Sequence, residues 1–518
     1  MFETVLARIS AAAIAVVLVV PAACGSNPPE KRTDGFDQGR FDTAIRRLNG
    51  LARDVMNRDH IPGLAVAVVH GDDMVFAQGY GVREQGKSAE VNADTVFQIA
   101  SMSKSIGATV VATQVTAGKL SWDDPVTRFL PNFALADPYV TAHATVGDFY
   151  AHRTGLPAAA GDDLEELGFD RSYILDHLQF LPLGPFREVY GYANFGTTAG
   201  AASAAVAAGT DWETLSQNAI YQPLGMNSTS SRTADFLAHR NRAVLHAKTP
   251  GGFAPLYQRN PDTQSPAGGV SSNVKDLARW MSMVLGDGKF GGKTIISPGA
   301  LLPAVSAQIT NRPAAAPGEL PGFYGYGFNV DPQPTGTTEI SHSGAFFVGG
   351  ATRVAMLPAL GVGIVVLTNA APVGAAEALA SQFLDVVQTG DTSRDWIDYF
   401  GKVFAPLYEP AGDLVGKTRP TIAAPPDPFT SYVGTYSNPY FGDLVVDVQN
   451  GRLHAAMGPT GNVEFNLDPW DGNTFAFTPP LSSEAEGSLS SVTFDVDDGT
   501  VKQDYFNRNG LGTWTKSA

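Results

Sequence analysis

Ser101-Met102-Ser103-Lys104 puts a hydroxyl and an amine three residues apart, at the head of a stretch, Ser103 to Ala117, that has helical character. Residues three apart on a helix share a face, so the amine of Lys104 can reach the Ser101 hydroxyl. A serine at a helix N-terminus also lies near backbone N–H groups able to stabilise a developing oxyanion. The chemistry within reach is acyl transfer, with a serine nucleophile activated by a neighbouring amine. The same spacing recurs in Ser272-Asn273-Val274-Lys275, so context must separate the two. Ser272 precedes Asp276, Leu277 and Trp280 and reads as a helix cap. Ser101 instead follows the apolar run Val96 to Ala100 and leads a helix of small and β-branched residues, suited to a buried helix that carries a nucleophile into a cleft.

Other chemistries lack their residues. The chain has no Gly-x-Ser-x-Gly elbow, no His-Glu-x-x-His and no Walker A loop or Rossmann fingerprint at a strand-to-helix junction, and its 9 histidines are scattered. A cysteine count of 1 removes disulfides within the chain and zinc sites of the cysteine type. With 51 acidic against 35 basic residues the formal charge is −16, which leaves no positive excess for a nucleic acid or an anionic lipid surface. No cofactor and no metal site is expected.

The elements that must position the pair follow from periodicity. At 518 residues and 44% hydrophobic composition, the chain is long enough for a large core and a starting count of two domains. Phe41, Ile45, Leu48, Leu51, Val55 and Met56 recur at helical spacing, which predicts a helix over Phe41 to Arg58. The runs Leu64 to His70 and Met74 to Tyr80 flank Gly71-Asp72-Asp73 as a hairpin, and Arg353 to Leu357 with Gly361 to Thr368 form a second one before a small-residue helix from about Ala375 to Val387. Helix then hairpin at one end and hairpin then helix at the other predict one antiparallel sheet closed by both chain ends, with the stretch from Asp94 to Ser341 inserted as a helical lobe. Prolines crowd Pro406 to Pro428, so 401–428 reads as a linker. From Phe429 onward short β-type runs alternate with turn signals at Asn450-Gly451, Asp471-Gly472 and Asp498-Gly499, predicting a small all-β domain over 429–518. The catalytic unit is then 41–400, an α/β domain of antiparallel sheet, terminal helices and helical lobe, preceded by a polar linker, 25–40.

At the N-terminus an apolar run, Ile9 to Val20, ends in Pro21-Ala22-Ala23-Cys24, the pattern of a secretory signal, too short for a stable membrane span. This predicts export and a leader of 1–24. A lone cysteine at that point resembles the lipid-acceptor cysteine of bacterial lipoproteins, which implies attachment of lipid at Cys24 and placement in the cell envelope; the plainer alternative is ordinary cleavage nearby and a free thiol.

Seven segments carry a resemblance over about Phe41 to Gln388. In order they are FQIASMSKSIGATVVATQVTAGKLSWDDPVTRFLP, ATVGDFYAHRTGLP, YANFGTTAG, PLGMNST, SPAGGVSSNVKDLARW, YGYGFNV and ISHSGAFFVGG. Together they resemble the serine β-lactamase-like family, which holds class C β-lactamases, D,D-carboxypeptidases, D-aminopeptidases and related esterases. The resemblance implies a β-lactamase/transpeptidase-like fold with Ser101 as acylated nucleophile and Lys104 as its activating partner. Tyr192-Ala193-Asn194 matches the family's Tyr-x-Asn, implying Tyr192 as proton shuttle and Asn194 as a donor to the substrate amide; Tyr436-Ser437-Asn438 and Ser271-Ser272-Asn273 are weaker rivals. His342-Ser343-Gly344 matches the third motif, where Gly344 lets substrate lie close to the backbone and the N–H of Ala345 pairs with that of Ser101 as an oxyanion hole. Many β-lactamases carry Lys-Thr-Gly there. A histidine, mostly neutral at pH 7, anchors a carboxylate less well than a lysine, which favours peptidase or esterase over β-lactamase. The tail resembles the lipocalin-like β domains appended to some of these hydrolases.

The expected function is therefore an exported serine hydrolase that cleaves an amide or ester through a Ser101 acyl-enzyme, with D-amino-acid or peptidoglycan-type peptides or small esters as substrates. A β-lactamase, or a catalytically silent penicillin-binding envelope module, is the alternative. The remaining motifs have plain readings: Asp123-Asp124-Pro125 as loop capping, His152-Arg153-Thr154-Gly155 as structural or cleft rim, Phe323, Tyr324, Tyr326 and Phe328 as core or cleft wall, and Asp162, Asp163, Glu165 and Glu166 as a solvated loop or helix start.

Overall fold

Both ends of the first domain meet in one sheet. The computed structural model describes residues 35–479 and 484–517, so the expected leader and Cys24 lie outside the described residues. The sheet has eight strands: β1 (Gly63–His70), β2 (Asp73–Gly81), β3 (Ile309–Arg312), β4 (Gly322–Tyr324), β5 (Asn329–Pro332), β6 (Thr338–Ala345), β7 (Ala351–Leu357) and β8 (Val362–Thr368). Their order is β2-β1-β8-β7-β6-β5-β4-β3, antiparallel throughout, with Leu64 opposite Thr368 and His70 opposite Val362. Both expected hairpins are present. The three short strands β3 to β5 extend the sheet from within the stretch expected to be helical; at three or four residues each, they are too short to show a period of two.

Strands β1 and β8 are buried on both faces, and their alternate residues feed two different cores. Leu64, Val66, Val68, Ile364 and Val366 pack against the terminal helices, whereas Ala65, Ala67, Val69, Val365 and Leu367 face the helical lobe. The helix α1 (Gln38–Asp59) starts at Asp37, whose side chain accepts from the Arg40 N–H, and buries Phe41, Ala44, Leu48, Ala52 and Val55 along one stripe. Beside it lie two C-terminal helices of the domain, Ala375–Thr389 and Trp396–Phe404. Trp396, Phe400 and Phe404 belong to that same core, with Tyr408 packed against it, so the first domain runs past residue 400 into the stretch read as linker. The rest of that stretch is fastened to the barrel: Ala424 N–H donates to Asp471 Oδ1 at 2.8 Å, Arg419 Nε to the Trp470 carbonyl at 3.0 Å, and Ala411 N–H to Ser488 Oγ at 2.9 Å. Proline-rich composition here marks extended chain laid on a surface, where missing N–H groups leave nothing unpaired.

On the other face of the sheet, α2 (Ser103–Thr116) is buried on every side from Ser103 to Gln114, and α3 (Asn194–Ala208) nearly so. Their runs of Gly, Ala, Ser and Thr permit this, because small side chains let neighbouring elements approach closely. The last helix used below, α4 (Val274–Leu285), is capped by Asn273, whose side chain accepts from the Asp276 N–H at 2.8 Å, not by Ser272. No helix among the described residues is long and apolar enough to cross a membrane.

The tail is a closed antiparallel barrel of eight strands, from β9 (Gly434–Asn438) and β10 (Gly442–Gln449) round to Thr513–Lys516, which pairs back with β9. Closure leaves no sheet edge open. Trp514, Tyr432, Tyr436, Phe475 and Phe494 fill its core.

Candidate active site

The turn before α2 carries Ser101. Ala100 sits at φ 47°, a left-handed conformation that costs a residue with a Cβ about 1 to 2 kcal/mol, and the following Ser101 is buried with no exposed surface. The strain is held by neighbours: Ser103 Oγ donates to the Ala100 carbonyl at 2.6 Å and accepts from the Val270 N–H at 3.0 Å, and Thr352 Oγ1 donates to the Ile99 carbonyl at 2.9 Å.

Lys104 is fully buried and its Nζ has three partners: Ser101 Oγ at 3.2 Å, the Asn194 side-chain carbonyl at 2.6 Å and the Ala267 backbone carbonyl at 3.0 Å. Burial pulls its pKa down to about 7 against the opposing pull of Asp162 and Glu165. This count has a chemical consequence. A neutral amine has two N–H donors and one lone pair; the two carbonyls can take only the donors, so the lone pair is left for the Ser101 proton. In its neutral form the Lys104 amine thus has its lone pair turned to the Ser101 hydroxyl.

Tyr192, just before α3, lies under the same amine, with Nζ 4.6 Å from the ring centre. Burial raises its pKa while proximity of its hydroxyl to Ser101 lowers it, and the net shift is upward, so it is a neutral phenol at ordinary pH. The hydroxyl is close to Ser101 yet completes no hydrogen bond of good geometry, which leaves it available to a third atom. Lys104 is the base-like member of the pair and Tyr192 the acid-like one.

The third motif lies at the end of β6. A Cβ added to Gly344 would sit 2.1 Å from the Ile99 carbonyl oxygen, 2.6 Å from Thr352 Oγ1 and 2.9 Å from the Ser101 nitrogen, so only glycine lets the strand press this close to the nucleophile turn. The buried Ala345 follows directly on Gly344 at the end of the strand. His342 points to the cleft side: its Nδ1 donates to the Ser343 carbonyl at 2.5 Å, which leaves Nε2 to accept from the Tyr324 hydroxyl at 2.9 Å. Burial, reinforced by Lys104, pulls its pKa down to about 3, so this ring carries no charge at neutral pH. On the back of the strand Arg353 donates to Ser343 Oγ at 3.2 Å and pairs with Glu339 at 2.6 Å.

Ser101, Lys104, Tyr192, Asn194, His342, Gly344 and Ala345 are all brought together. Asn194 departs from its expected role. Its carbonyl accepts from Lys104, and its Nδ2 donates to both oxygens of Asp162, at 3.1 and 2.9 Å, so the donor expected to meet a substrate amide is turned to a carboxyl group instead. The acidic stretch is also different from its solvated reading. Asp162 is 1% and Glu165 8% exposed. Glu165 is held by Arg259 at 2.6 Å and by the Gln264 side chain, and burial together with Glu165 keeps the Asp162 carboxyl well above the usual carboxylate range. These partners come from chain positions far from 162–166, which is why a local reading of four acids missed them. His152 is a second addition. Its Nδ1 accepts from the Ala193 N–H at 3.2 Å, its ring centre is 4.5 Å from Tyr192 and 5.2 Å from Tyr324, and its buried Nε2 has no partner among the described residues.

Two other expectations resolve simply. Asp124 caps its loop through the Ser121 N–H at 2.7 Å. Tyr436 belongs to the barrel, where its hydroxyl donates to the Tyr432 carbonyl at 2.8 Å.

A serine in the turn before α2, a buried amine in the first turn of that helix, a phenol beside the amine and a glycine strand edge beside the serine make an arrangement suited to acyl transfer. The Beta-lactamase family model matches residues 48–387, and the chain belongs to that family of serine hydrolases. A second model, a domain of unknown function (DUF3471), matches residues 418–506. Among curated proteins the chain is 27% identical over 429 residues to the Unguisins hydrolase ungD' of Aspergillus campestris, covering 78% of each chain. It is 27% identical over 379 residues to Penicillin-binding protein 4 of Amycolatopsis lactamdurans, covering 71% of this chain and 89% of that one. Among solved structures, the octameric penicillin-binding protein homologue from Pyrococcus abyssi has a similar fold, with a TM-score of 0.60 at 19% identity over 89% of this chain and 98% of that one.

Proposed function

We propose that this protein is an exported serine hydrolase that cleaves an ester or amide through an acyl-enzyme on Ser101, and that its preferred acyl donor carries no free carboxylate. The observation that supports the first part is the Lys104 amine, buried beside Ser101 with its other two partners both carbonyls. In the neutral form it takes the Ser101 proton as Oγ bonds to the carbonyl carbon. The oxygen of the tetrahedral adduct lies between the N–H groups of Ser101 and Ala345. As the bond to the leaving atom breaks, Tyr192 protonates that atom and recovers a proton from Lys104; water then repeats the sequence on the acyl ester.

Charge supports the second part. His342 is neutral where a carboxylate anchor would need a cation, and the surrounding arginines are committed: Arg153 and Arg187 to Asp148, Arg259 to Glu165, Arg353 to Glu339. An anionic group would meet Tyr192, Tyr324 and neutral rings, with these four arginines already paired to carboxylates. Small esters and peptides with blocked or uncharged ends therefore rank ahead of free peptide C-termini and penicillins, with cell-wall fragments as candidates where their acyl side is uncharged. Placement in the envelope, with lipid on Cys24 as its finer form, belongs to the same reading, and no nucleic acid takes part.

The test is intact-protein mass after incubation of residues 25–518 with a fluorophosphonate and separately with a β-lactam, with Ser101→Ala as control. A fluorophosphonate adduct absent from the control is the expected result. A long-lived penicilloyl adduct would move the reading toward a penicillin-binding peptidase. Hydrolysis of p-nitrophenyl butyrate should outpace that of the p-nitrophenyl half-ester of succinic acid; the reverse order would overturn the charge argument. No adduct from either reagent would leave a silent binding module.

A further inference from the structure

The barrel touches the site from behind. Tyr440, at the turn between β9 and β10, is 1% exposed and reaches into the first domain, where its hydroxyl donates to Asp163 Oδ1 at 2.7 Å. Asp163 directly follows Asp162 in the chain. Asp162 in turn receives both bonds from Asn194 Nδ2, and the Asn194 carbonyl receives the shortest bond made by Lys104. Four side chains, Asp163, Asp162, Asn194 and Lys104, thus link one phenol of the second domain to Ser101.

The surroundings make this link stiff. Leu164, Leu167 and Phe169 from the first domain and Phe441, Met457 and Phe506 from the barrel form one continuous core with Tyr440. Tyr173 Oη donates to the Tyr440 carbonyl at 3.4 Å, and a Cβ on Gly458 would meet the Leu167 carbonyl oxygen at 2.3 Å. Gly161, at φ 84°, has the Ile174 and Phe195 side chains where a Cβ would be, at 2.6 and 2.9 Å. With the ring locked at one end and the backbone at the other, a shift of Tyr440 transmits to Asp162 instead of being absorbed.

We infer that Tyr440 is a positioning residue for acyl transfer: through Asp163 it holds the neighbouring Asp162 beneath Asn194 and so fixes the Lys104 amine against Ser101. The barrel is then a working part of the catalytic unit. This rests on the reading of Ser101 and Lys104 given above.

The charged and titratable groups around the chain of contacts are few. Lys104 faces Asp162 and Glu165, with His152 and His342 as neutral rings; Asp162 also faces Glu165 and Glu166; Asp163 faces Tyr440 and Arg508; Glu165 is paired with Arg259. Displacing Asp162 weakens the field that favours the Lys104 ammonium, so the pH at which the amine becomes a free base falls, while its aim at Ser101 is lost.

The rate of fluorophosphonate labelling at Ser101, followed by intact mass from pH 5 to 9 on the full chain, reads both effects. Tyr440→Phe keeps the ring and removes the hydroxyl; labelling at pH 7 should slow on the order of tenfold, and the half-maximal pH should move down. Tyr436→Phe, which removes a buried barrel hydroxyl that donates to the Tyr432 carbonyl, is the control and should label like wild type. Asp163→Ala removes the same contact from the other side, and the double variant should be no slower than the slower single one. A wild-type rate and profile in Tyr440→Phe would overturn the inference, as would equal slowing of Tyr436→Phe or additive losses in the double variant. Should Tyr440→Phe fail to fold, Asp163→Ala decides alone, by the same rate and pH shift. Failure of wild type to label would count against the Ser101 reading itself and is distinguishable from all of these.

Discussion

Two places in this chain spell Ser-x-x-Lys, and they do different things. At 101–104 both side chains are buried without exposed surface, the amine contacts the hydroxyl at 3.2 Å, and its pKa is pulled down to about 7. At 272–275 the serine is equally buried, but its hydroxyl is paired with Thr229 Oγ1 at 2.7 Å and the lysine turns outward, 38% exposed, to Asp94 at 2.8 Å. The spacing supplies reach in both cases. What differs is solvent: only a desolvated amine, with its donors taken by carbonyls, becomes a base near neutral pH. The helix carrying Lys104 is buried all round, whereas α4 is amphipathic: Val274, Asp276 and Leu277 of its first turn are buried and Lys275 lies on its outer face, so the first-turn lysine falls inside one helix and outside the other.

The comparison can be broken in four ways. The largest effect belongs to the serines: Ser101→Ala should abolish acylation as read by intact mass, and Ser272→Ala should leave its rate within about twofold of wild type, because no reacting atom is lost. Next come the lysines. Lys104→Met keeps the volume and removes the base, with an expected loss on the order of 10²- to 10⁴-fold in acylation rate, while Lys275→Met should be near neutral, its exposed ion pair being worth under about 1 kcal/mol. Third is pH. A base must be deprotonated to act, so the acylation rate should fall about tenfold per unit as pH drops below about 7 and level off above it. A profile flat down to pH 5 would sink the assignment of Lys104 as base. The smallest effect is structural: Asn273→Ala removes the true cap of α4 and should lower unfolding stability by about 1 kcal/mol in urea titration, with acylation by the folded protein unchanged.

Much of the site was legible because its residues sit in short local patterns. Ser101 and Lys104 are set by helical spacing, and Tyr192 and Gly344 each stand in a motif of three residues. Asp162 and Tyr440 were not legible for the opposite reason. An acid is buried only when distant partners arrive to satisfy it, and here Asn194 lies 32 positions along the chain from Asp162 while Tyr440 lies 277 from Asp163. Asn194 fell between these cases: its position was readable, but the direction of its amide depended on Asp162. In the fold, the hairpins at both ends followed from apolar runs around glycine and proline turns. The barrel strand Val463–Asp471 buries Val463, Phe465 and Leu467 and exposes Glu464, Asn466 and Asp468, a period of two that a closer scan of the tail would pick up. Gly434–Asn438 offers no such alternation, since its Gly, Thr, Ser and Asn are held by barrel closure.

The pairing of β1 with β8 also sets a schedule for assembly. Leu64 cannot find Thr368 until everything between them has been made, at about 5 to 20 residues per second a wait on the order of half a minute. During that time an apolar strand, Gly63–His70, has one neighbour in its hairpin and an unsatisfied edge on the other side. The domain therefore condenses late and as a whole, dominated by contacts distant in sequence, and its folding should be slow and exposed to competing association until the second hairpin closes the sheet.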